Sequence, residues 1–79
     1  MTREEVLKNL NEIFQDVFDD EDITVMESTT SDDIEDWDSL EHISLIASIE
    51  SNFSIKFSMS EISGLKNVGA IVDLIISKV

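Results

Sequence analysis

The chain has no cysteine, no proline and no tyrosine, only two glycines, and five basic residues against eighteen acidic ones. Without cysteine there is no disulfide framework, no Cys-ligated zinc site, no cysteine nucleophile and no thioester on the protein's own side chains. Thiol chemistry, if it occurs here, is brought by an attached group. The two glycines, Gly64 and Gly69, form no glycine-rich phosphate cradle. The single histidine, His42, has no Ser or Cys partner in a triad pattern and reads as a partly exposed helix residue. With no base paired to a nucleophile and no metal-ligand cluster, the chain is not expected to be an enzyme. No apolar run approaches membrane-spanning length, and Met1 to Glu5 holds no apolar signal core, so no membrane insertion and a cytoplasmic location are expected.

Bases are not only few but badly distributed. None lies between Lys8 and Lys56, an interval holding fourteen of the eighteen acids, and the formal net charge is −13. Nucleic acid is therefore excluded as a partner, because phosphate binding needs clustered Lys and Arg. An anionic membrane surface is disfavoured for the same reason. Two roles remain for the acidic field: a solvated face serving solubility, and docking onto basic patches of other proteins. The run Asp32, Asp33, Glu35, Asp36 and Asp38 suggests calcium, but no window supplies alternate ligands with glycine sixth and glutamate twelfth.

What is present is helical periodicity. Seventy-nine residues, 42% of them apolar, make one domain, residues 1–79, near the lower limit for burying a core unaided. Thr2 and Glu5 form a capping box ahead of Val6, Leu7, Leu10, Ile13, Phe14, Val17 and Phe18, which recur at helical spacing. Asp19 to Asp22 end that helix, since four acids at a C-terminus oppose the macrodipole. Residues 19–37 lack sustained periodicity and read as a long ordered loop anchored by Ile23, Val25, Met26, Ile34 and Trp37. A second helix places Leu40, Ile43, Ile46, Ala47, Ile49 and Phe53 on one face, with Leu45 widening the stripe. Phe53 to Met59 alternate apolar and polar residues but have no partner strand, so an extended connector is expected. Ser58 and Glu61 cap a single turn, Gly64 permits a turn, and Asn67 caps a last helix carrying Val68, Ile71, Val72, Leu74, Ile75, Ile76 and Val79. That helix is expected to be the most buried element. The predicted fold is all-α: a small four-helix bundle, three main helices plus one short one, with a long loop between helices 1 and 2.

Asp38-Ser39-Leu40-Glu41 stands where the acidic loop meets the second helix. Asp38 reads as the N-cap and Glu41, three residues on, as its reciprocal partner in a capping box. Ser39 is then the first helical residue, with a hydroxyl not needed for capping.

With these residues assembled, the whole chain resembles an acyl carrier protein. The likeness covers the amphipathic first helix, the long loop, Asp38-Ser39-Leu40, the helix ending in Phe53, the Ser58 to Ile62 turn and the apolar last helix. The resemblance implies that Ser39, flanked by Asp38 and Leu40, is esterified with 4′-phosphopantetheine. It further implies that a phosphopantetheinyl transferase takes the group from coenzyme A, and that the arm's thiol holds acyl groups as thioesters. Glu41 falls at an acidic partner-contact position of the family, Glu50 at another acidic position of the same helix, and Asp38 is taken as a further partner contact. The implied partners are acyl-transferring and acyl-modifying enzymes with basic docking patches, served by a monomer.

Fatty-acid carriers commonly have a small residue or glycine before Asp-Ser-Leu, where Trp37 stands here, and a more acidic second helix, where this chain has Ser44, Ser48 and Ser51. Trp37 is expected to pack the loop onto the bundle or to flank the prosthetic arm. Besides general fatty-acid synthesis, the resemblance thus admits a dedicated carrier for a polyketide, a modified lipid or an envelope sugar. Two other readings compete: a peptidyl or aminoacyl carrier, and an acidic interaction module with no prosthetic group.

Overall fold

The computed structural model describes residues 1–79 and contains four helices and no sheet. They are α1 (Arg3–Val17), α2 (Ser39–Phe53), α3 (Met59–Ser63) and α4 (Val68–Lys78). Helix α1 packs against both α2 and α4. Thirteen buried apolar side chains form one cluster, drawn from α1, α2 and α4 and completed by Val25 and Trp37 of the loop.

The start signals read for α1, α3 and α4 are used in full. The Thr2 hydroxyl accepts the Glu5 N–H at 3.2 Å, while the Glu5 carboxylate accepts the Thr2 N–H at 3.0 Å. Ser58 and Glu61 repeat this reciprocal arrangement on α3, and the Asn67 side-chain oxygen accepts the Ala70 N–H at 2.8 Å. Helix α1 ends at its Phe18 cap, after which Asp19 takes a left-handed φ of 50°, a conformation Asp tolerates better than most residues. Gly64, expected to make a turn possible, has a φ of −88° that any residue adopts. The closer constraint is at Gly69: its N–H donates to the Glu27 carbonyl at 2.8 Å, and a Cβ there would stand 3.0 Å from that oxygen.

The predicted face of α2 is rotated. Leu45, Ile46 and Ile49 are buried and Phe53 half-buried, whereas Leu40, Ile43 and Ala47 are exposed. Two helical stripes compete on this segment, 40-43-47 and 42-45-46-49-53, and both satisfy i, i+3, i+4 spacing. Packing against α1 selects the second, which places His42 on the inner edge and leaves two large apolar side chains in solvent beside Ser39.

The loop is ordered as expected, but by partners invisible to periodicity. The Asn11 side-chain oxygen accepts the Val25 N–H at 2.7 Å and its amide donates back to the Val25 carbonyl at 3.2 Å, so α1 clasps the loop from its polar edge. Gln15 donates to the Ile23 carbonyl at 2.9 Å, and the Thr29 carbonyl accepts the Val68 N–H at 2.9 Å. Val25 and Trp37 are core residues, and Ile23 and Ile34 pack against the core. Met26 is not an anchor: it is exposed, because the buried Thr29 hydroxyl accepts its N–H and turns the chain there.

Arg3 joins three distant segments by pairing with Glu27 of the loop and Asp73 of α4. The two carboxylates raise the guanidinium's pKa, chiefly through the hydrogen bond to Glu27, and the same bond lowers the pKa of Glu27. A carboxylate with a lowered folded pKa adds stability that is complete above its unfolded value and is lost as pH falls through the folded one. Wild type should therefore melt higher than Glu27→Gln at neutral pH. The gap should shrink below the ordinary carboxylate value of 4.5 and close once Glu27 is protonated in the folded state. Thermal melts of both proteins from neutral to acidic pH check this; a gap that persists at the acid end would show that the pair is not its source.

Candidate functional site

The start of α2 is fixed by backbone bonds rather than by bulky side chains. The Asp38 carboxylate accepts the Glu41 N–H at 2.9 Å and the Asp38 carbonyl accepts the His42 N–H at 2.8 Å. The expected return bond from Glu41 is absent. The Asp38 N–H instead donates to the Asp36 carbonyl at 3.0 Å, in the tight turn that carries Trp37, so the Glu41 carboxylate is left free. Ser39 follows as an exposed first helical residue whose hydroxyl makes no hydrogen bond within the protein, and the N–H groups of Ser39 and Leu40 are likewise unengaged. A free hydroxyl thus projects from a rigid backbone, beside orphan N–H groups at the positive end of a fifteen-residue helix.

Trp37, directly before this motif, packs inward. Its ring meets Phe14 edge to face at 5.2 Å between centroids and lies 6.5 Å from Phe18. Its indole N–H donates to His42 Nδ1 at 3.1 Å, and the imidazole lies nearly parallel to it. Trp37 thus packs the loop onto the bundle, as expected, and it also lines the cleft that Ser39 borders. An open cleft of about 780 Å³ begins at Ser39, bounded by Trp37, His42 and Ile43 on one side and by Met59, Leu65 and Lys66 on the other. The inward bond of His42 was not foreseen from the sequence, although its i+3 spacing from Ser39 placed both on one face.

The remaining candidate residues are distributed differently. Leu40 and Ile43 stand 71% and 65% exposed around the rim, and Met59 is 81% exposed across the cleft. Glu50, a candidate partner contact, accepts the Phe57 N–H at 2.8 Å and so fixes the connector that follows α2. No three His, Cys, Asp or Glu side chains are grouped closely enough to hold a metal ion, and the acids of residues 32–38 do not converge. No helix is long and apolar enough to cross a membrane.

Residues 8–75 match the family model described as a phosphopantetheine attachment site. The chain belongs to the acyl carrier protein family. Across 79 residues, 99% of this chain and 92% of the relative, it is 33% identical to the acyl carrier protein of Petrotoga mobilis. It also superposes with a TM-score of 0.86 on the solution NMR structure of a holo acyl carrier protein from Geobacter metallireducens. That match is 46% identical and covers 91% of this chain and 83% of the other. The family's members are carriers, not enzymes, and bear phosphopantetheine covalently; their common partners are the transferase that installs it and acyl-handling enzymes. The start of α2 suits such a group, having a hydroxyl with no internal partner and N–H donors with no acceptor.

Proposed function

We propose that Ser39 is the residue that bears 4′-phosphopantetheine, and that residues 1–79 act as a single monomeric carrier domain in the cytoplasm. The observation that carries this reading is the hydroxyl of Ser39, exposed, unbonded and held at the first position of α2. When bound, the group supplies a thiol that a cysteine-free chain lacks. The protein's own residues do the positioning. Asp38 caps the helix and fixes the serine backbone, and the first-turn N–H groups favour a phosphodiester there by about 0.5 kcal/mol.

Docking is assigned to the outer edge of α2. Leu40 and Ile43 offer a small apolar contact, and Glu41, free of the return bond, offers charge to a basic patch. Glu50 contributes mainly by holding the connector, since one of its oxygens is already engaged. Such a surface suits encounters that must end quickly, because charge steers association without a large buried area. The indole that stands where fatty-acid carriers commonly have a small residue supports a dedicated pathway over general fatty-acid synthesis, since it lines the cleft that Ser39 borders.

Incubation with coenzyme A and a broad-specificity phosphopantetheinyl transferase should add one phosphopantetheine to the intact mass. Fragmentation should place that increment on Ser39. An unmodified chain, in the presence of an active transferase, would overturn the assignment; an increment on another serine would relocate it.

A further inference from the structure

Of the five bases, Arg3 is engaged by Glu27 and Asp73, and Lys78 by Glu61 at 3.1 Å. Lys66, on the segment between α3 and α4, joins none of these ion pairs although the chain carries eighteen acids. A solvated lysine is ordinary by itself. Its place is less so, because Lys66 borders the same cleft as Ser39 and His42 and is the only base that does.

The imidazole adds a second donor. His42 Nδ1 accepts the Trp37 indole N–H, so the neutral ring carries its own proton on Nε2. Ser39 and His42 are three residues apart on α2 and share a helical face. The unengaged N–H groups of Ser39 and Leu40 lie at the same place. The surroundings of one serine hydroxyl therefore collect an ammonium and several N–H donors, and the one carboxylate lining the cleft, Asp38, is turned to the Glu41 N–H as the helix cap. An anion joined to that oxygen is the acceptor they lack.

We propose that Lys66 and His42 form an anion-binding pair that holds the phosphodiester of the Ser39-linked arm against the cleft, with Trp37 as the positioning residue that orients His42. This rests on the assignment of the arm to Ser39. The lysine supplies charge from across the cleft, the histidine a directed hydrogen bond from α2, and the arm beyond the phosphate leaves over Ile43 and Met59. The root of the arm is then held in one direction while its thiol end stays mobile.

The test uses the holo protein, with loading first confirmed by intact mass. The ³¹P resonance of the phosphodiester is recorded for wild type, K66M, H42A, H42Q and W37F, with urea-unfolded holo protein as the unbound reference. Wild type should differ from that reference. K66M and H42A should each remove more than half of the difference, while H42Q, which retains an N–H donor, should restore most of what H42A loses. W37F keeps an aromatic ring against Phe14 but not the indole donor, and should fall between wild type and H42A. Raising the salt from about 20 mM to about 0.5 M should move wild type toward K66M and leave K66M unmoved. Because Lys66 is an exposed side chain outside the ion pairs, K66M tests the pair even if H42A loosens the loop. Resonances of K66M and H42A that coincide with wild type at both salt concentrations would overturn the pair while leaving Ser39 as the attachment site. A wild type that cannot be loaded would remove the attachment reading and the pair with it.

Discussion

Ser39→Ala should abolish loading by the transferase and leave the fold intact. The side chain is exposed and makes no internal hydrogen bond, so its removal creates neither a cavity nor an orphaned polar group. Alanine is also the better helix former, by about 0.5 kcal/mol in a helix interior, and Asp38 still caps the helix through the Glu41 N–H. Melting temperature is expected to stay within a few degrees of wild type, roughly the shift that half a kcal/mol produces in a domain of this size. Loss of the mass increment would then report lost chemistry rather than lost structure. Retention of the increment in Ser39→Ala would send the attachment to one of the other serines.

Phe14→Ala should have the largest effect on stability. Phe14 is fully buried on α1 and meets Trp37 edge to face at 5.2 Å and Phe18 at 5.8 Å, so its ring joins the bundle to the end of the long loop. Truncating a buried Phe costs about 3–5 kcal/mol, because the lost contacts are added to a cavity the surroundings fill only partly. A small domain typically has about 5–15 kcal/mol in total, and self-repulsion at a net charge of −13 argues for the lower end. The melting temperature should fall by on the order of 20 °C. Urea or thermal denaturation followed by circular dichroism measures this; a loss under about 1 kcal/mol would mean that the ring is replaceable. Trp37, the only tryptophan, provides a second readout, since its fluorescence should shift toward that of a solvated indole as its support goes.

The two substitutions separate the site's chemistry from its foundation. Ser39 acts from the surface and can be changed without cost to the fold. Trp37 acts from the core, and whatever disturbs its seat on Phe14 also disturbs the hydrogen bond that orients His42 beside Ser39.

The sequence by itself determined the four helices, their starts and the placement of Ser39. Those features depend on neighbours three or four residues away: Thr2 with Glu5, Ser58 with Glu61, Asn67 with Ala70, and Asp38 with the Glu41 N–H. It also marked Trp37 as the loop's link to the bundle. Only the tertiary structure decided what those helices face. Helix α2 carries two apolar stripes of equal periodicity, and the choice that buries Leu45 and exposes Leu40 and Ile43 comes from packing against α1. The bonds from Asn11 to Val25, Glu50 to Phe57, Arg3 to Glu27 and Asp73, and Trp37 to His42 follow the same rule. Each joins polar groups whose pairing has no periodic signature. The bonds of Asn11, Glu50 and Trp37 are part-buried and spare a donor that would otherwise lack a partner, whereas the exposed Arg3 pairs form because the fold brings α1, the loop and α4 side by side.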